Sequence, residues 1–168
     1  MPLIEDILGS IEGDAPVREL RVCVRATAVW SARLGVAYTF PRIHKGHSAE
    51  PARRRLRDLS ARELAELALS EDPIDQSVGM AAVNSLLDPE ALELAAGNAK
   101  ELILAHGEGK DVTVVGHFPF VEGLRERTRN LWVLELSPRD DDLPAEEASR
   151  VIPRSDVVAI TGTSIINH

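Results

Sequence analysis

The sequence predicts an α/β chain in two parts. Beyond Asp111, three short runs of apolar and β-branched residues, 112–115, 131–134 and 157–160, alternate with helical segments. Continuous apolar runs of this length mark strands buried on both faces. The order strand, helix, strand, helix, strand predicts right-handed crossovers and a parallel sheet. Before Asp111, two runs rich in β-branched and apolar residues, 17–30 and 34–40, flank a turn-like Ser31-Ala32-Arg33 and read as an antiparallel pair. Capped helices follow them. The expected division is an α+β part over 1–106 and a βαβαβ part over 107–168.

Each element has a local reason. Leu3, Ile4, Leu8 and Ile11 share one face of a helix that Gly13 and Pro16 end. Pro41 closes the second strand because it has no amide to donate to a ladder. Residues 43–59 are polar, carry His44, His47 and the cluster Arg53, Arg54, Arg55 and Arg57, and read as a surface loop. Ser60 and Glu63 have capping-box spacing, with Leu59 and Leu64 as a hydrophobic staple. Asp72 suits an N-cap and Pro73 the first helical position. Val78, Ala82 and Leu86 then recur along one face, beside a small-residue surface of Gly79, Ala81 and Ala82. Asp88-Pro89 restarts a helix, interrupted near Gly97-Asn98 and resumed to His106, before Gly107 and Gly109 end it. In the second part, 120–127 reads as a helix with Val121 and Leu124 inward. Another is expected over 142–151, with Pro144 early and Glu146 and Glu147 in its first turn.

Composition excludes several classes. No apolar run reaches the roughly 18 residues of a membrane span. The N-terminus carries Glu5 and Asp6 and lacks the basic start of a secretory signal. One cysteine, Cys23, rules out a disulfide framework within the chain and fits a reducing, cytoplasmic setting. Its place inside an apolar run predicts a core residue. A net charge of -8 disfavours nucleic acid.

Ligands of open parallel sheets bind beyond the carboxyl ends of the strands. Those ends carry Gly116 and His117, then Glu135, Leu136 and Ser137, then Thr161, Gly162, Thr163 and Ser164. Glu135 follows Gly116 by nineteen residues, a spacing at which a carboxylate can meet a ribose diol. The remaining glycines of a dinucleotide fingerprint are missing, and Phe118 and Pro119 occupy their place, so Gly116 reads more readily as a tight turn than as a dinucleotide glycine. The three hydroxyls of 161–164 suit an oxyanion or, as readily, a locally bonded turn. His117 reads as a metal ligand, a general acid/base or a packing residue. His44 and His47 have no nearby third ligand and read as loop residues.

Residues 112–120 (VTVVGHFPF), the strand ending Leu134-Glu135, and residues 156–167 (DVVAITGTSIIN) resemble a family of unknown function described as a putative heavy-metal chelation domain. Residues 79–84 (GMAAVN), after Ser70-Glu71-Asp72, are similar to that family's N-terminal portion. The resemblance implies an enolase N-terminal-like part, antiparallel strands plus helices, followed by a partial Rossmann-like parallel sheet. It also implies a ligand site between the two. The ligand-binding positions it carries over are Asn84, Gly116, Glu135, Thr161, Gly162, Thr163 and Asn167, with His117 and Glu135 as metal donors. It implies a small molecule or a divalent or heavy-metal ion as partner. Thiolate-rich chelation does not fit a chain whose one cysteine is expected in the core, and a metal held by a bound small molecule fits better. Family members are expected to continue past Asn167, so the expectation is either a naturally shortened protein or a fragment of a longer one, which pairs with another copy or has an incomplete site. Two other readings stay open: a Rossmann-like enzyme with a nucleotide cofactor, and a non-catalytic remnant.

Overall fold

The structure, a computed structural model, describes residues 2–40, 56, 58–91, 93 and 96–165. His44, His47, Arg53, Arg54, Arg55, Arg57 and Asn167 lie outside the described residues. Two compact units divide the chain, one reaching to residue 93 and including Ile165, the other ending at Ser164.

The first unit opens with helix α1 (Pro2–Ser10) and a meander of three antiparallel strands, β1 (Glu19–Val22), β2 (Ala26–Trp30) and β3 (Leu34–Tyr38), in the order β1-β2-β3. The run 17–30 is thus two strands, where one was expected. The chain turns at 23–25, with Cys23 N–H bonded to Ala26 O at 3.0 Å. That turn puts Cys23 on the surface, which corrects the expectation of a core thiol. Alternation sends Leu20, Val29 and Ala37 inward. There they meet Ile4 and Ile11 and the apolar faces of helices α2 (Ala61–Ala65) and α3 (Pro73–Leu86). Each large side chain fully buried here contributes about 1.5–3 kcal/mol.

The caps form as the sequence predicts. Ser60 and Glu63 close a reciprocal capping box on α2, and Asp72 accepts from Ile74 and Asp75 at the start of α3. The small residues of α3 decide how closely it packs. A Cβ on Gly35 would stand 2.1 Å from Ala81 O, and one on Gly79 would stand 2.0 Å from Ala68 N. Along the outer side of β3, Arg33 N–H donates to Ser85 O at 3.1 Å, Asn84 Nδ2 to Val36 O at 2.8 Å and Phe40 N–H to Ser77 Oγ at 3.1 Å. α3 therefore satisfies the strand edge that a neighbouring strand would otherwise take.

The second unit holds helix α4 (Ala99–Gly107) and a four-stranded parallel sheet. The sheet comprises β4 (Asp111–Val115), β5 (Asn130–Glu135), β6 (Leu143–Pro144) and β7 (Val157–Ile160) in the order β6-β5-β4-β7. Helices α5 (Val121–Arg125) and α6 (Ala148–Val151) are short. Asn98 caps α4 by accepting from Lys100 N–H at 2.9 Å, so the expected interruption at Gly97-Asn98 is a helix start. After Asp88 the described residues form a 3₁₀ turn, Pro89–Ala91. Pro144 ends the edge strand β6 instead of opening a helix, a place where its missing amide costs no ladder bond. Val112, Val114 and Val133 pack with Val121 and Leu124 on one face of the sheet. On the other face Thr113 Oγ1 meets Ser155 Oγ at 2.6 Å. Among the described residues no helix is long and apolar enough to cross a membrane.

Charge ties the starts of the three long strands together. Arg129 holds both Asp111 oxygens at 2.8 Å and Asp156 at 3.2 Å, and Asn130 Nδ2 and the Asp111 N–H complete the network with Asp111 Oδ1 and Asp156 Oδ2. The hydrogen bonds from Arg129, then that from Asn130, hold the Asp111 carboxyl below its usual value of 3.8. A depressed carboxyl stabilises the fold above the unfolded value and loses that contribution as pH falls through the folded one. In urea melts, Arg129→Gln is expected to lower the midpoint at pH 6, with the gap to wild type closing as pH falls below 3.8 towards 2. Gly35→Ala and Gly79→Ala are each expected to cost about 1–3 kcal/mol or more, since the added methyl meets backbone and not a yielding side chain. Thermal melts check both.

Candidate functional site

The sheet order sets the site. From β4 the chain goes first to β5 on one side and later to β7 on the other. The strand order therefore reverses at β4, and ligands of open parallel sheets bind outside the carboxyl ends at such a reversal. Val115 pairs with Leu134 and with Ile160, so the three strands end level. The residues that follow are Gly116-His117, Glu135 and Thr161.

Gly116 has φ 97°, a left-handed conformation that favours glycine. A Cβ there would also meet Thr161 Cγ2 at 3.0 Å. This turn aims the His117 N–H at Glu135, whose Oε1 accepts it at 2.6 Å. Glu135 thus joins the end of β5 to the loop after β4, and among the described residues its other oxygen has no partner. The His117 ring, about half exposed, lies with Nδ1 3.2 Å from both oxygens of Asp142. The Asp142 side chain is only 3% exposed. Asp142 also accepts from Arg139 N–H at 3.4 Å, and its own N–H donates to Arg139 O at 2.8 Å. An ionised carboxylate only accepts, so a neutral His117 ring in this position donates from Nδ1 and leaves the lone pair on Nε2. A carboxylate behind a histidine orients the ring, the arrangement found behind metal-bound histidines.

Around this pair lies a cleft of about 440 Å³, lined by His117, Glu135, Ser137, Arg139, Asp140 and Asp142. Asp140 has φ 49°, a left-handed conformation that aspartate tolerates better than most residues. All six residues belong to the second unit.

The predicted positions separate. His117 and Glu135 line the cleft, and Gly116 and Thr161 stand together beside it. Thr161 Oγ1 lies 3.0 Å from Thr163 Oγ1, and Ser164 Oγ donates to Thr161 O at 2.7 Å, so these hydroxyls are spent within the turn Gly162–Ile165. Asn84 sits in the first unit, where its amide serves the edge of β3. Arg139, Asp140 and Asp142 were not singled out from the sequence. The signal for them was the position of Pro138-Arg139-Asp140-Asp141-Asp142 directly after a strand end, where functional loops belong. Asp142 was read instead as the start of a helix.

Comparison with known proteins places the chain. One family model, DUF4213, described as putative heavy-metal chelation, matches residues 4–87. A second with the same description, DUF364, matches residues 98–168. The chain belongs to this putative heavy-metal chelation family. A protein of unknown function from the DUF364 family of Desulfitobacterium hafniense, known from a crystal structure, is 26% identical with a TM-score of 0.83. The match covers 99% of this chain and 69% of that one. A second such structure, also of unknown function, from Pyrococcus horikoshii, has 18% identity and a TM-score of 0.69, a likeness of fold. It covers 98% of this chain and 69% of that one. None of the curated proteins compared with the chain matches it.

Asp142→Ala is expected to free the His117 ring, moving the imidazole hydrogen from Nδ1 towards a mixture of tautomers. Loss of a buried acceptor is expected to cost about 1–3 kcal/mol. Histidine-selective nitrogen NMR and a thermal melt report the two effects separately.

Proposed function

We propose that this chain binds a metal ion or a small polar ligand at the mouth of its parallel sheet, with the Nε2 of His117 as the contacting nitrogen. The observation that carries the reading is the buried Asp142 carboxylate behind a half-exposed imidazole at the carboxyl end of the central strand. Imidazole is a ligand for zinc, copper and nickel, and the carboxylate prepares it for that role. Membership of a family described as putative heavy-metal chelation agrees with a metal as part of what is bound.

A self-contained heavy-metal cage does not fit the described residues. Such a cage takes three or four donors, with thiolates or imidazoles for soft ions. Among the described residues no three His, Cys, Asp or Glu side chains come together in a way that could hold a metal ion. Glu135, the other expected donor, already spends one oxygen on the His117 amide. The same commitment weighs against a nucleotide reading, in which the two hydroxyls of a ribose diol would take both oxygens of that carboxylate.

Addition of millimolar Zn(II) is expected to shift amide resonances of Gly116, His117, Glu135 and residues 137–142. The response should vanish in His117→Ala and persist in His106→Ala. Shifts confined to other residues, shifts that survive His117→Ala, or no response at all would overturn the reading.

A further inference from the structure

The groups left over in the cleft describe a ligand more closely than its description as a metal site does. Among the described residues, the Arg139 guanidinium has no hydrogen-bond or ion-pair partner, although it shares the cleft with three carboxylates. The Asp140 carboxylate and the Ser137 hydroxyl are likewise without partners there, and Glu135 has one oxygen to spare. The cleft thus offers one imidazole nitrogen, one bidentate cation and several oxygen acceptors. A bare ion would use the first, add nothing to the second, and still need most of its coordination sphere from elsewhere.

We infer that the ligand is a metal ion already held by an aminocarboxylate chelator. Its carboxylates answer Arg139, whose fork matches a carboxylate with two parallel hydrogen bonds. Its amine hydrogens, or those of metal-bound water, answer Glu135 and Asp140. His117 Nε2 fills one coordination position that the chelator leaves open. This division explains why the chain brings a single prepared nitrogen and a free arginine in place of a donor cage. The pieces come from two loops, the one after β4 and the one after β5, and Asp142 holds both through His117 and the Arg139 amide. The inference rests on the reading of His117 given above and adds the chemical class of what accompanies the metal.

Isothermal titration with two defined nickel complexes separates the claims. Ni(II)–iminodiacetate and Ni(II)–diethylenetriamine both occupy three positions and leave three open, but only the first carries carboxylates. Arg139→Ala is expected to weaken the iminodiacetate complex about tenfold, the scale of a charged hydrogen-bonded contact, and to leave the triamine complex unchanged or tighter. His117→Ala is expected to weaken both. If Arg139→Ala weakens neither complex, or both alike, the chelator inference falls while the role of His117 stands. If His117→Ala weakens neither, the underlying metal reading falls with it.

Discussion

Parallel pairing of Val115 with Leu134 on one side and Ile160 on the other brings three strand ends level, and the cleft depends on that register. A shift of one residue would turn β5 over and carry Glu135 to the opposite face of the sheet. The N-terminal ends are tied by Arg129 across Asp111 and Asp156, and the interior by buried valines on the helix-covered face. With both the start and the middle of each strand held, the residues after the strands have little freedom about where they emerge. Gly116 then makes the one left-handed turn that points the His117 amide at Glu135.

A histidine at a strand end is common and by itself says little. What distinguishes His117 is the buried carboxylate behind it, since Asp142 fixes the ring orientation through Nδ1. That carboxylate comes from the loop after β5, while Glu135 at the end of β5 accepts the His117 N–H, so His117 is restrained through its backbone and its ring at once. The family description speaks of chelation, yet among the described residues no three donor side chains come together in a way that could hold a metal ion.

The first unit shows the same dependence on close approach, with different means. Gly35 and Gly79 let α3 lie against β3 and against the turn after α2 at distances no side chain would allow. In return α3 satisfies the outer edge of β3 through Ser77, Asn84 and Ser85. Asn84, which family resemblance placed among the ligand contacts, has a structural partner in Val36. The outward side of this sheet is unusually apolar, carrying Trp30, Leu34, Val36 and Tyr38, with Arg18 set over the Trp30 ring.

Local chemistry made much of this chain legible from its sequence. The capping box at Ser60, the Asp72-Pro73 start and the three β-branched runs announced their elements, because caps and strand patterns act over three or four residues. The strand-end rule likewise pointed to Gly116, His117 and Glu135. The sequence misled where the outcome depended on partners far along the chain. A turn at 23–25 exposes Cys23 only because β2 pairs on both sides, with β1 and with β3, and Pro144 joins an edge strand only because β5 lies beside it. The encounter of His117 with Asp142, twenty-five residues apart, was invisible for the same reason. By itself the sequence determined the capped helices, the three long parallel strands and which residues stand at the ends of those strands. Tertiary structure decided which of those residues meet, because contacts between loops follow from sheet order, and sheet order is settled by packing across the whole unit.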